Sequence, residues 1–148
     1  MTDEQTAYKY RMVQGRKLYD IPDDVCQDLL AKARAALKQC YPKPGEGYAV
    51  ALLTKKGSIY TGASYGSDTA TLTMHSEAVA LAHAAQHGET EIIAITGPNC
   101  HICKQLIWES SLRSGIEIQV IVQEGTKVKK VPITSLMPHP WPDAQGNK

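Results

Sequence analysis

Apolar residues recur at helical spacing in three stretches of this chain, which predicts three helices. The first begins near residue 23, where Pro22 suits the start of a helix, and it ends at the sequence YPKPG of residues 41–45. The second spans residues 75–87 and closes at Gly88, because glycine commonly follows the last turn of a helix.

The third predicted helix spans residues 100–114. Its inward face is predicted to carry four apolar side chains: Ile102, Leu106, Ile107 and Trp108. Short apolar runs bounded by turn residues lie between and after the helices, and they are typical of strands. The predicted strands cover residues 48–54, 58–61, 91–96, 116–122 and 127–131, and a short helix at 133–137 follows them. This order predicts an α/β layer fold with a mixed sheet of about five strands.

The two ends of the chain lack such patterning. We interpret residues 1–20 as a polar, loosely packed N-terminal extension, residues 21–138 as the folded domain, and residues 139–148 as a Pro-rich tail. No apolar run is long enough to span a membrane, and the N-terminus has no apolar segment of a secretion signal. We therefore expect a cytoplasmic protein with no membrane partner.

Composition narrows the choice of partners. Sixteen basic and 15 acidic residues give a net charge of +1, whereas proteins that bind nucleic acid are usually more basic. Four cysteines without a secretion signal argue against a disulfide framework. Cys100 and Cys103 form a C-x-x-C pair, which is interpreted as either a metal site or a redox pair.

Four residues at the starts of the second and third predicted helices carry candidate chemistry: His75, Glu77, Cys100 and Cys103. Two successive helices can begin at the same edge of a sheet, so that both N-termini face one crevice. A helix N-terminus favours thiolates, and His75 adds a nitrogen ligand, so the three ligands would hold zinc with the fourth tetrahedral position open to water. Zinc lowers the pKa of such water to about 7, and Glu77 is predicted to carry its proton to the substrate.

Two other interpretations of these residues stay open at this point. A closed structural zinc site needs a fourth ligand, which Cys26, Cys40 or His101 would have to supply. A redox pair needs neither His75 nor Glu77. The combination of H-x-E with C-x-x-C therefore favours the catalytic zinc.

The segments His75-Ser76-Glu77 and Pro98-Asn99-Cys100-His101-Ile102-Cys103 follow the H-x-E and P-C-x-x-C pattern of zinc deaminases. Together with TKKGSIYTGASYG (residues 54–66), CKQLIWE (103–109) and ITSLMP (133–138), they make the chain resemble the cytidine deaminase superfamily. The resemblance runs from about residue 23 to residue 138. It is stronger to the cytidine and blasticidin S types, which act on free nucleosides and bases, than to the enzymes that edit nucleic acid.

This resemblance implies a three-layer α/β/α fold with a mixed five-stranded sheet, a Zn²⁺ cofactor, and a homotetramer, with a homodimer as the alternative. The implied reaction is hydrolytic deamination of a cytosine-like nucleoside, base or related amino-heterocycle, with release of ammonia. Two other functions remain open: a deaminase of single-stranded nucleic acid, and a non-catalytic structural zinc protein.

The resemblance also implies substrate-binding residues. We expect the backbone N–H of Ser76 to bind the ring carbonyl oxygen and Tyr48 to flank the substrate. The family holds the ribose with an Asn and a Glu, whose positions are taken here by Ser64 and Gly66, so we expect an altered clamp and weak or absent turnover of plain cytidine. Asn99 stands where the family has proline, and it either contacts the substrate or caps the next helix.

Two further residues are left open by the sequence. Asp68 lies in the same loop as Ser64 and is a candidate to replace the missing carboxylate of the clamp. Trp141 in the tail is a candidate to close a pocket in its own or a neighbouring subunit.

Overall fold

Three α-helices and seven strands form within residues 6–97 and 100–144, which the computed structural model of the chain describes. The helices are α1 (Asp23–Ala36), α2 (Ser76–Gln86) and α3 (His101–Ser114). The strands are β1 (Tyr10–Val13), β2 (Arg16–Tyr19), β3 (Ala49–Thr54), β4 (Ile59–Ala63), β5 (Ile92–Thr96), β6 (Gln119–Glu124) and β7 (Lys127–Pro132). Short 3₁₀ helices cover Leu37–Gln39, Ala70–Leu72 and Ile133–Leu136. From residue 23 onward the order of elements is the predicted one, with boundaries shifted by a few residues.

Five of the strands form one mixed sheet in the order β4-β3-β5-β6-β7. Only β5 and β6 run parallel in this sheet, and the other neighbours are antiparallel. Helix α1 packs against β3 and β4, α2 packs against the same two strands, and α3 packs against β5. The predicted three-layer α/β/α fold with a mixed five-stranded sheet is therefore confirmed.

The core lies between these layers. The central strands β3 and β5 are covered on both faces, which explains why they are almost continuously apolar: Val50–Leu53 and Ile92–Ile95 are all at most 1% exposed. From α1 the side chains of Cys26 and Leu29 close the core on one side. No helix among the described residues is long and apolar enough to cross a bilayer.

The interpretation of residues 1–20 as a loosely packed lead-in is wrong for the part from residue 10 onward. Strands β1 and β2 form an antiparallel hairpin, and Lys17 bonds to the chain just before β6 through Gly115 and Glu117. The guanidinium of Arg16 is buried against the Glu117 carboxylate, with Nε 3.2 Å from Oε2, and lies over the ring of Trp108. The division of the chain at residues 20 and 138 stays a prediction.

The predicted inward face of α3 is also partly wrong. Ile107 and Trp108 are buried, as predicted, but Ile102 is 67% exposed and Leu106 is 38% exposed. The helix instead turns Cys103 into the core at its first turn, and a face that holds Cys103 and Ile107 leaves Ile102 and Leu106 on the outside.

Candidate metal centre and active site

The helices α2 and α3 begin side by side at one edge of the sheet. His75 directly precedes α2, and its carbonyl accepts the first helical bond from the N–H of Val79. Cys100 directly precedes α3 and accepts in the same way from Lys104, while Cys103 follows on the first turn. The predicted crevice between two helix N-termini is thus present.

One nitrogen and two sulfurs converge at this point. The Sγ of Cys100 lies 3.5 Å from Nδ1 of His75, and the Sγ of Cys103 lies 3.3 Å from the same nitrogen. All three candidate ligand atoms are within 4.8 Å of one another. Ordinary Zn–S and Zn–N bond lengths at a tetrahedral angle place sulfur and nitrogen roughly 3.5 Å apart, so the group has the size that zinc requires.

The electrostatics of this group call for a cation. Burial raises the pKa of the Cys103 thiol, and the neighbouring Glu77 carboxylate and Cys100 raise it further. A partly buried cluster of two thiols and a carboxylate is unfavourable when ionised, whereas a divalent cation stabilises the thiolates and reverses this effect. The donor set of one imidazole and two thiolates therefore fits zinc.

Glu77 lies next to Cys103 and is not one of the three candidate ligands. Its side chain is 1% exposed, its Oε1 accepts a hydrogen bond of 2.6 Å from the Ser76 hydroxyl, and its Oε2 has no hydrogen-bonding partner among the described residues. A buried carboxylate oxygen without a partner is costly unless a ligand or water meets it. An unpartnered Oε2 can accept a hydrogen bond from a bound water or ligand, as the proton-transfer role predicted for Glu77 requires.

The competing interpretations of the cysteines fit the structure less well. Within residues 6–97 and 100–144 no fourth His, Cys, Asp or Glu joins the metal-binding group. Cys26 is buried in the core, and Cys40 is buried beside Ser64 in the cavity wall without joining the ligand group. His101 is exposed. Cys100 and Cys103 are free thiols.

A cavity of about 530 Å³ opens above the metal-binding group. Two of the ligands and the candidate catalytic residue line it together with the neighbouring chain: Gly47, Tyr48, Ser64, Thr73, His75, Ser76, Glu77 and Cys100. The predicted substrate-binding residues Tyr48, Ser64 and Ser76 are therefore brought to one cavity. Their contacts with a substrate stay predictions.

Three other candidate residues from the sequence analysis are not among the described residues that line the cavity. Asn99 lies outside the described residues, so its two proposed roles stay predictions. Asp68 is exposed and does not line the cavity. Trp141 is 63% exposed, and its carbonyl accepts a hydrogen bond of 2.7 Å from the Gln105 side chain on α3.

Gly47 and Thr73 line the cavity but are missing from the sequence analysis. Each lies in a loop, where no apolar periodicity indicates which residues face inward. The sequence offers one signal that points to Thr73: residues 62–73 are rich in Gly, Ser and Thr, which predicts a long loop, and long loops in compact domains are often functional.

The comparisons with known proteins agree with this geometry. Residues 24–117, more than half of the chain, match the family model described as the cytidine and deoxycytidylate deaminase zinc-binding region. Among curated protein sequences none gives a significant match.

Solved structures share the fold at low sequence identity. Cytidine deaminase from Burkholderia pseudomallei is 22% identical with a TM-score of 0.66, over 78% of this chain and 98% of that protein. Cytidine deaminase from Mycobacterium leprae is 21% identical with a TM-score of 0.64, over 81% and 100% of the two chains. The Bacillus anthracis enzyme is 19% identical with a TM-score of 0.59, over 79% and 89%.

The family match and the convergent His75, Cys100 and Cys103 together support a zinc-dependent deaminase. By this match and this fold, the chain belongs to the family of the cytidine and deoxycytidylate deaminase zinc-binding region.

Proposed function

We propose that this chain is a zinc-dependent hydrolytic deaminase of a cytosine-like nucleoside, base or related amino-heterocycle. The reaction replaces an exocyclic amine with oxygen and releases ammonia. The observation that carries the proposal is the unpaired Oε2 of buried Glu77, a residue that lines the same cavity as His75 and Cys100.

Zinc held by His75, Cys100 and Cys103 would supply Lewis-acid activation of water at neutral pH. Glu77 would do the proton transfers. Its carboxylate accepts a proton from the attacking water and delivers it to the ring nitrogen, and it then moves the second proton to the leaving amine, so that the C–N bond breaks with neutral ammonia as the product.

Ser76 has two roles in this proposal. Its hydroxyl donates to Oε1 of Glu77, which fixes the carboxylate and leaves Oε2 for proton transfer. Its backbone N–H belongs to the first turn of α2, where no intrahelical acceptor is available, and would bind the ring carbonyl oxygen. The side chain of Ser76 is thus a positioning group and its N–H a binding group.

Substrate choice follows from the cavity wall. Ser64 and Gly66 stand at the positions of the family's ribose clamp, and neither offers a carboxylate. A neutral hydroxyl makes hydrogen bonds roughly half as strong as those of a charged group. We therefore expect cytidine to be a weak substrate or none. Tyr48, which is 65% exposed at the mouth of the cavity, would flank the ring.

We also propose a cytoplasmic homotetramer, with a homodimer as the alternative. Ile102 and Leu106 support an assembly, because these exposed apolar side chains lie on one helix face. Sedimentation equilibrium on the zinc-loaded protein distinguishes the two assemblies. A monomer at micromolar concentration would contradict both.

The test of the proposed function is an ammonia-release screen over cytidine, deoxycytidine, cytosine, isocytosine and blasticidin S. On the best substrate, Glu77→Gln should keep its zinc and lose turnover by a factor on the order of 10²–10⁴, the usual contribution of a general acid–base. Glu124→Gln is the matched control, because Glu124 lies at the remote β6–β7 hairpin and pairs with Lys129. Undiminished turnover by Glu77→Gln would refute the role of Glu77.

A further inference from the structure

Away from the candidate zinc ligands, the cavity is lined by Gly47, Tyr48, Ser64 and Thr73. The first three belong to two hydrogen-bonded segments, residues 40–48 and 64–66, which we call the distal wall. The N–H of Ser64 donates to the carbonyl of Tyr48 at 2.8 Å, and the N–H of Tyr41 donates to the carbonyl of Ser64 at 3.1 Å. The N–H of Gly66 donates to the carbonyl of Tyr41 at 2.7 Å. These bonds hold the two segments together as one surface.

The hydroxyls near this wall already have intramolecular partners. The Ser64 hydroxyl accepts from the N–H of Tyr48 at 3.2 Å and points its proton at Sγ of Cys40 at 3.7 Å. The Thr73 hydroxyl accepts from the N–H of Ser67 at 3.1 Å and donates to the carbonyl of Ser67 at 3.4 Å. A hydroxyl has one proton to donate, so neither residue has a donor left for a substrate.

Charge is equally scarce around the cavity. The ionisable side chains among its described lining residues are His75, Glu77, Cys100 and the phenol of Tyr48, with no Lys or Arg. Hydroxyl or phosphate groups buried here would lose water without gaining charged or strong donors in return.

The distal wall also has no room for longer side chains. A Cβ atom on Gly47 would lie 2.4 Å from Oγ of Ser64 and 3.1 Å from Sγ of Cys40. A Cβ atom on Gly66 would lie 3.2 Å from Cδ of Pro42. A side chain at position 47 would therefore press on Ser64, which also lines the cavity, and would displace this part of the wall.

We infer that this deaminase recognises its substrate through the ring alone, and that Gly47 is a specificity-determining residue for the substituent that the ring carries. The inference rests on the proposed function and deepens it. A nucleoside binds only if its sugar fits sterically against the distal wall, and the sugar hydroxyls contribute little to the binding free energy. Free bases and bases with small neutral substituents are the preferred class.

The experiment compares kcat/KM and competitive inhibition constants for cytosine, 1-methylcytosine, 2′,3′-dideoxycytidine, cytidine and CMP. Removing the 2′ and 3′ hydroxyls of the ribose should change binding by at most about threefold, because sites built to read a hydroxyl discriminate by 10⁴ or more. CMP should bind at least roughly 100-fold more weakly than cytosine, since no cation meets its phosphate.

Variants at the distal wall test the role of Gly47. Gly47→Ala should weaken the binding of nucleosides at least roughly tenfold more than the binding of cytosine, which is a typical effect of a methylene-sized misfit. Ser64→Ala removes the atom that a new Cβ would strike, so the double variant Gly47→Ala/Ser64→Ala should regain part of the nucleoside binding. This rescue distinguishes a steric gate from general damage to the fold.

The outcomes separate the two proposals. A loss of more than about threefold between cytidine and dideoxycytidine, a preference for CMP, or an equal effect of Gly47→Ala on cytosine and nucleosides would overturn this inference. The proposed function would survive these results if Glu77→Gln is inactive. If no compound releases ammonia or inhibits, both proposals fail.

Discussion

Replacing Gly62 by alanine should damage the stability and the activity of this protein together. Gly62 lies on β4 where the strand passes closest to α2, and a Cβ atom there would lie 2.3 Å from the backbone N of Ala80 and 2.4 Å from the carbonyl oxygen of Ser76. Both neighbours are backbone atoms of the helix that holds Glu77, so no side-chain rotation can relieve the overlap.

The size of the effect follows from these distances. Ordinary contacts between heavy atoms are near 3.5 Å, so the strand and α2 have to separate by roughly 1 Å. Overpacking of this kind costs about 1–3 kcal/mol, and we expect about 3 because backbone has to move. In a chain of this length that lowers Tm by about 6–12 °C. Since Ser76 and Glu77 move with α2, a displacement of about 1 Å should reduce kcat on the order of 10²-fold.

The effect of Gly62→Ala is measured in three ways. These are thermal unfolding at fixed zinc and protein concentrations, the zinc content of the protein, and kcat on the best substrate. Gly97→Ala is the control for stability alone, because its Cβ would make only ordinary contacts, with Val50 at 3.4 Å and with Glu77 at 3.6 Å. If Gly62→Ala melts within about 1 °C of Gly97→Ala and keeps full activity, the close approach of β4 to α2 does not constrain the site.

Three further predictions concern the rest of the molecule. Arg16→Met should lower the free energy of unfolding in urea by about 3–5 kcal/mol, because it leaves the Glu117 carboxylate buried without its partner. The double variant Arg16→Met/Glu117→Gln should lose less stability than the single variant, and equal losses would contradict this prediction. Hydrogen bonds from Thr54 and Tyr60 hold the pKa of Glu89 below its usual value of 4.5. They therefore stabilise the fold above that pH, and this stabilisation is lost as the pH falls through the lower folded-state pKa. Glu89→Gln should flatten the pH dependence of Tm in that range, and an unchanged profile would refute this prediction. Chelation of zinc should lower the stability by about 2.7 kcal/mol relative to protein at free zinc of 100 times Kd, since only the folded chain assembles the site; an unchanged Tm would contradict a zinc site joining α2 and α3.

The sequence predicts the elements from residue 23 onward because each has its own local signal. Apolar periodicity marks the helices, and turn residues such as Gly88 and Gly115 end them; both glycines adopt the left-handed conformation, with φ of 78° and 72°. The N-terminal hairpin has no such signal. It depends on contacts such as that of Arg16 with Glu117, which lie far apart in the sequence.

The buried face of α3 shows a second limit of prediction from sequence patterns. Ile102 and Leu106 have the spacing of an inward face, but Cys103, Ile107 and Trp108 occupy that face. Hydrophobic spacing offers several faces on one helix, and tertiary packing chooses between them.

The candidate site divides in the same way. His75, Glu77, Cys100 and Cys103 were predictable, because their chemistry and spacing place them at two helix starts. The cavity wall was not, since Gly47 and Thr73 come from loops whose positions depend on hydrogen bonds between distant segments.

X-ray absorption spectroscopy on the zinc-loaded protein tests the metal centre most directly. The structure predicts two sulfur ligands at about 2.3 Å, one imidazole at about 2.0 Å and one further light atom that exchanges with solvent or inhibitor. Replacing Cys103 with serine should remove one of the two sulfurs. A spectrum with three or more sulfurs, or with a fourth protein ligand that no inhibitor displaces, would contradict an open catalytic site beside Glu77.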